Sequence, residues 1–145
     1  SEVEIDPDPG FVDLVRHIAV NDSGEVINPL LLGGQVHGGV AQGIGQALME
    51  DVTYDSDGQI LAGSFMDYCM PRADDLPMIE TADFVEACQT NPLGVKGGGE
   101  SGTVGSTAAV VNAIIDALAE YGVKDIDMPA TPMKVWQAMH GGKAA

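Results

Sequence analysis

Positive charge is what this sequence has least of. Lys and Arg together number six against 22 Asp and Glu, giving a net charge of −16 over 145 residues. None of the six lies between Arg16 and Arg72. A nucleic-acid ligand requires a basic face that displaces counterions from phosphates, so that class of partner is excluded. The same argument disfavours an anionic membrane surface. The acidity reads as a solvated surface that keeps the chain soluble. No apolar run reaches the ~18 residues of a membrane span, and no signal-peptide pattern opens the chain. Cysteine is nearly absent. Cys69 and Cys88 have no tight spacing, which excludes a disulfide framework or a zinc site and reads as two buried free thiols in a reducing compartment. A cytoplasmic location is the expectation.

Catalytic groupings are equally sparse. His17, His37 and His140 stand apart in the sequence, and no His/Cys/Asp/Glu group has metal-ligand spacing, so no protein-ligated metal is expected. Ser101 and Ser106 have neither a nearby base nor a nucleophile-elbow pattern.

What is plentiful is glycine. The 19 glycines are about twice the usual share near 7%. They cluster at 33–45 and 94–105 instead of spreading as a linker would, which marks places where backbone passes close to something. The length fits one domain, and a hydrophobic fraction of 45% supports a sizeable core.

Along the chain, residues 2–6 and 11–20 are strand candidates joined by the turn residues 6–10, a hairpin signal. The chain thus opens in mid-strand, as if cut from something longer. Asn28-Pro29 is a cap followed by proline at the first helical position, predicting a helix to about Glu50. Its six glycines (33, 34, 38, 39, 43 and 45) each cost about 1 kcal/mol relative to Ala. Close packing against a neighbour and a ligand lying on the first turns both explain them. Residues 52–55 and 59–62 predict a second hairpin, continued by 64–68, and 78–88 a further strand. Residues 71–77 read as a polar loop. A long apolar helix is predicted over 103–121, and Thr131-Pro132 caps a short last helix through Met139. The tail from His140 onward reads as fraying or a natural end. Strands and helices are segregated, so the expected fold class is α+β, a mixed sheet with hairpins packed against two long helices.

Glu100 sits inside the second glycine cluster, directly before the long helix. A carboxylate there either favours the helix dipole or is a catalytic base held against a ligand. Thr103 is a good cap by itself, and a capping carboxylate does not need three glycines before it. Gly97, Gly99 and Gly102 match a dinucleotide fingerprint, but Pro92 stands where the preceding strand should end and Glu100 would face a pyrophosphate. Lys96, four residues before Glu100, either binds an anion or pairs with surface acids.

Three stretches carry a recognisable pattern: Asn28-Pro29 followed by Gly34-Gln35-Val36-His37-Gly38-Gly39-Val40-Ala41-Gln42-Gly43; Gly94-Val95-Lys96-Gly97-Gly98-Gly99-Glu100-Ser101-Gly102; and Asp127-Met128-Pro129-Ala130-Thr131-Pro132 with Val135-Trp136. In residues, order and spacing the chain resembles the large, molybdopterin-binding subunit of the xanthine dehydrogenase, aldehyde oxidase and carbon monoxide dehydrogenase group. The resemblance covers essentially all of residues 1–145 and implies the C-terminal part of a larger molybdopterin-binding domain, its upstream part missing.

The resemblance implies further that Glu100 is the catalytic base, that Gln35 contacts the pterin, and that Gly97, Gly98 and Gly99 let the backbone reach the metal centre. The implied cofactor is molybdenum on molybdopterin, in the cytosine dinucleotide form, with iron–sulfur clusters and FAD on partner chains or domains. The implied reaction oxidises an N-heterocycle, an aldehyde or a similar carbon with water as the oxygen source. The implied partners are the remainder of the large subunit, the iron–sulfur and FAD subunits or domains, and a small-molecule substrate. Ser101-Gly102 stand where animal xanthine oxidases have prolines, and His37 where they have an acid, which is nearer the bacterial carbon monoxide dehydrogenase-like branch. By itself the chain is expected to be inactive. The competing expectation is a non-catalytic acidic interaction or cofactor-assembly module that kept the fold.

Overall fold

Alternating acidic and apolar residues build the first hairpin. In the computed structural model, which describes residues 1–141, β1 (Glu2–Asp6) pairs antiparallel with β2 (Phe11–Arg16), Ile5 opposite Val12. The rest of the tail, 142–145, lies outside the described residues. The turn needs glycine at position 10: its φ is +73°, and a Cβ there would lie 2.8 Å from the Trp136 backbone nitrogen.

The expected strand 11–20 is in fact two. Val12 and Leu14 point inward, but beyond them it is His17, Ala19 and Asn21 that turn in. The inward face thus switches from even to odd positions, which one continuous strand does not permit. The chain breaks at His17, and β3 (Ile18–Asn21) pairs in parallel with β4 (Glu80–Asp83), Ile18 opposite Glu80. The expected strand 78–88 shrinks to these four residues. The expected second hairpin is a turn with one isolated bridge, Tyr54 to Ile60. Residues 51–61 are exposed throughout, and a lone ribbon without a buried face does not sustain strands. Residues 64–68 form a further turn, closed by Ser64 Oγ on Asp67 Oδ2 at 2.8 Å, and a single 3-10 turn at 73–75 interrupts the predicted loop.

Three α-helices complete the fold. α1 (Pro29–Leu48) begins where expected, with Asn28 Oδ1 accepting from the Leu31 N–H at 3.1 Å. α2 (Ser101–Ala117) starts two residues earlier than expected and is followed by a 3-10 turn at Ala119–Tyr121. α3 (Pro132–Met139) follows its Thr131 cap. The core lies where α1 crosses α2, with Val36, Val40 and Ile44 against Val110, Ile114 and Leu118. The spacing of four residues puts each set on one helical stripe. Val12 and Leu14 of the hairpin and Val135 and Met139 of α3 close it, and the Ala130 N–H ties the last connector to the Ala47 carbonyl at 2.7 Å. The class is α+β, with the strands in two small sheets, one antiparallel and one parallel.

Candidate functional site

The glycines of α1 divide into two sets. A Cβ at Gly43 would lie 2.8 Å from the Ser106 Cβ, and one at Gly39 would lie 3.0 Å from the Thr103 backbone nitrogen. On α2, a Cβ at Gly102 would lie 2.6 Å from the Val40 nitrogen. These three let the helix backbones touch at the crossing. Gly45 meets Pro71 at 2.8 Å. In contrast, Gly33, Gly34 and Gly38 have nothing within 4 Å, and neither do Gly97, Gly99 and Gly105 around the start of α2. Close packing therefore accounts for Gly39, Gly43 and Gly45, while Gly33, Gly34 and Gly38 face open space.

Glu100 occupies the N-cap position of α2, yet its side chain makes no capping hydrogen bond. Thr103 is not the cap either. Its hydroxyl donates across the helix crossing to the Gly39 carbonyl at 2.9 Å, which spends it on packing. The Glu100 carboxylate is exposed and lines an open depression of about 640 Å³ together with Val20, Asn21, Asp22, Gly97 and Gly99. Gln35 is also exposed but does not line that depression. It precedes Val36, which packs against Gly102, so one helix crossing carries both motifs. Gly98, between the two open glycines, lies against Leu32 and Ser23.

The glycine loop is anchored from one side. Val95 bridges to Gly24, and the Lys96 N–H donates to the Ser23 carbonyl at 2.9 Å. The Lys96 ammonium reaches Asp22 Oδ2 at 2.5 Å, which settles its partner as an acid. The same Asp22 carboxylate accepts from the Gly24 N–H at 2.9 Å and the Glu86 N–H at 3.2 Å. The bond from Lys96, and then the Gly24 N–H, hold Asp22 below the usual carboxylate range. Sequence spacing gave no sign of this hub, because Asp22 and Lys96 are 74 residues apart. On either side of Asp22 stand buried groups without partners among the described residues, Asn21 Nδ2 and Ser23 Oγ.

His17 is buried beneath the first turns of α2, its Nε2 3.2 Å from Ser106 Oγ and its Nδ1 2.9 Å from Ser1 Oγ. Burial, and then the positive amino terminus, push its pKa down. The cysteines are free, as expected, but not buried: Cys69 is exposed and Cys88 half-buried. Neither has the apolar surroundings that would hide a thiol, since residues 64–70 and 84–90 lie mostly at the surface. Hydrogen bonding to Thr90 lowers the Cys88 pKa. Among the described residues no group of three or more His, Cys, Asp or Glu is placed to hold a metal ion, and no helix is long and apolar enough to cross a membrane.

Open glycines on α1 and on the loop before α2, an uncapping carboxylate at Glu100 and an exposed Gln35 amide on α1 mark the cofactor-facing part of an α+β domain only once its relatives are known. Its family follows from comparison with known proteins: the profile of the molybdopterin cofactor-binding domain matches residues 1–77, and the chain belongs to that family. It is 43% identical over 139 residues to the nicotine 6-hydroxylase large subunit of Paenarthrobacter nicotinovorans, covering 96% of this chain and 17% of that protein. It is 37% identical over 137 residues to the carbon monoxide dehydrogenase large chain of Hydrogenophaga pseudoflava, covering 94% of this chain and 17% of that protein. Among solved structures, quinoline 2-oxidoreductase from Pseudomonas putida 86 superposes with a TM-score of 0.91 at 38% identity, over 97% of this chain and 18% of that one. A copper- and molybdenum-containing carbon monoxide dehydrogenase gives 0.90 at 36%, over 96% and 18%. The chain therefore spans under a fifth of the length of these relatives.

Proposed function

We propose that this chain supplies the general base, and part of the cofactor-facing wall, of a molybdenum-dependent hydroxylase or dehydrogenase. The observation that carries the reading is Glu100: a helix-start carboxylate that makes no capping bond, exposed beside Gly97 and Gly99, where nothing lies within 4 Å. The residues present fit a bulky pterin. The open glycines of α1 and of the loop leave backbone free to approach a flat group, and the Gln35 amide offers both a donor and an acceptor to a heterocycle edge. Molybdenum would then be held by the pterin and not by side chains of this segment.

When bound, the cofactor, in its cytosine dinucleotide form, supplies the oxygen-transfer and two-electron redox chemistry. Glu100 takes up the proton that the water-derived nucleophile sheds as it attacks an electron-poor carbon of an N-heterocycle, an aldehyde or a similar substrate. A carboxylate partly stripped of water by a bound cofactor and substrate is a stronger base for that step. Gly97 and Gly99 keep side chains out of the space beside that carboxylate, and Gly98 lets the loop between them lie against Leu32 and Ser23. Iron–sulfur and FAD partners would take up the electrons, and the remainder of the large subunit would complete the pocket.

The test is E100Q in the assembled holoenzyme. Turnover should fall by about 10²–10⁴-fold, the range for a lost general base, while molybdenum content stays at the level of the unaltered enzyme. Retained turnover would remove Glu100 from the mechanism.

A further inference from the structure

The two oxygens of Asp22 have separate duties. Oδ1 accepts from the Gly24 and Glu86 N–H groups at 2.9 and 3.2 Å, whereas Oδ2 takes the Lys96 ammonium at 2.5 Å. Asp22 lines the same open depression as Glu100, while the Lys96 that it holds lines a separate hollow with Ser23, Glu25 and Leu32. Lys96 is joined to Glu100 only by Gly97, Gly98 and Gly99, the most pliable link a chain offers. An ammonium released from Asp22 would remain tethered to the Glu100 segment by those three glycines alone. An opposite charge within ~4–6 Å lowers a carboxylate pKa by about 1–3 units, which would weaken it as a base.

Of the other charged groups nearby, Glu25 lines the hollow that holds Lys96. Asp22 and Glu100 are the titratable side chains among the described residues lining the depression. His17 is engaged beneath Ser106, and His37 of α1 bonds its Nδ1 to the Gly33 carbonyl at 2.7 Å. On the strands packed nearby, Glu2, Glu4 and Asp6 of β1 are exposed, as is Asp83 of β4, while Glu80 is paired with Arg16 at 2.6 Å.

We infer that Asp22 is a positioning residue: it sequesters Lys96 and so preserves the basicity of Glu100. The inference rests on the reading of Glu100 as the base and adds the device that keeps that base fit for use.

The experiment reads the Glu100 carboxyl directly, by ¹³C titration of the 145-residue chain, with E100Q assigning its resonance. D22N retains an Oδ1 for both backbone bonds and removes only the anion that holds Lys96. Glu100 should then titrate about one unit lower, as expected for a newly available cation, and D22N/K96M should bring it back to the starting value. An unmoved Glu100 in a D22N chain with a native amide spectrum overturns the inference. So does an equal shift in D22N and D22N/K96M, which would mark a purely structural effect. If D22N does not fold, K96M decides alone: the unpaired Asp22 carboxylate should raise the Glu100 pKa, and an unchanged value overturns the inference. Turnover by E100Q holoenzyme would sink the base reading separately, leaving the titration result intact.

Discussion

His17 has one proton to place, and its neighbours decide where. The Ser106 hydroxyl donates to the Gly102 carbonyl at 2.5 Å, so the proton between Ser106 and His17 belongs to Nε2. Nδ1 is then the acceptor for the Ser1 hydroxyl, and the ring is neutral. Burial, with the nearby amino terminus, holds the folded pKa below the ordinary 6.5. The unfolded chain binds the proton first as pH falls, so stability is fully present above about 6.5 and is lost as pH drops through the folded value. The net charge of −16 pulls the other way, because acid relieves repulsion among carboxylates. The informative comparison is therefore urea unfolding of the chain against H17Q between pH 7.5 and 5.5. The unaltered chain should lose more stability than H17Q on acidification, because its folded state resists taking up the proton. Parallel curves would dismiss His17 as the linked group.

At the scale of elements, the helix glycines predict opposite outcomes from one substitution. G43A forces a Cβ to within 2.8 Å of the Ser106 side chain and should destabilise by about 1–3 kcal/mol, as overpacking does. G38A meets nothing within 4 Å and should leave stability unchanged or raise it by up to about 1 kcal/mol. In holoenzyme, however, G38A should lower cofactor content, which metal analysis would register. Deleting packing instead of adding it, I114A should cost about 2–5 kcal/mol at the centre of the crossing.

Much of this architecture is legible in the sequence, because it rests on local chemistry: Asn28-Pro29 and Thr131-Pro132 start helices, and acidic–apolar alternation makes the hairpin. The break at His17 is hidden by the apolar run around it, which gives no cue to the change of inward face. The start of α2 is displaced because Thr103 has a better use against Gly39. The glycine clusters announce a close approach without saying to what. The Asp22 hub is written in no local spacing, since it joins residues that only the tertiary fold brings together.

As a whole, the chain carries more surface than its mass warrants. It exposes 9190 Å², whereas a compact monomer of 15.0 kDa is expected to expose about 7000 Å². Large apolar side chains contribute to the excess, with Ile27, Leu30 and Val104 at 77%, 84% and 73% exposure. Exposed apolar side chains of that size are what interfaces use, and under the proposed function they would face the remainder of a large subunit. The chain alone should self-associate with rising concentration in sedimentation velocity and should neither retain molybdenum nor reduce a dye with any substrate. A monodisperse monomer, or clear turnover, would contradict this. The parallel pairing of β3 with β4, which joins residues 62 positions apart at Ile18 and Glu80, has a consequence of another kind. Contacts so distant along the chain form late, because loop closure precedes any gain from them. The hairpin and the helix crossing are free to condense first. The segment that bears Glu100 is moored through Asp22 and Ser23, just beyond the end of β3, so it sets last and opens first. Amide hydrogens at Glu86, Cys88 and Lys96 should therefore exchange well before those of α1 and α2, giving the molecule a slow-exchanging half and a fast-exchanging half whose border runs past the base.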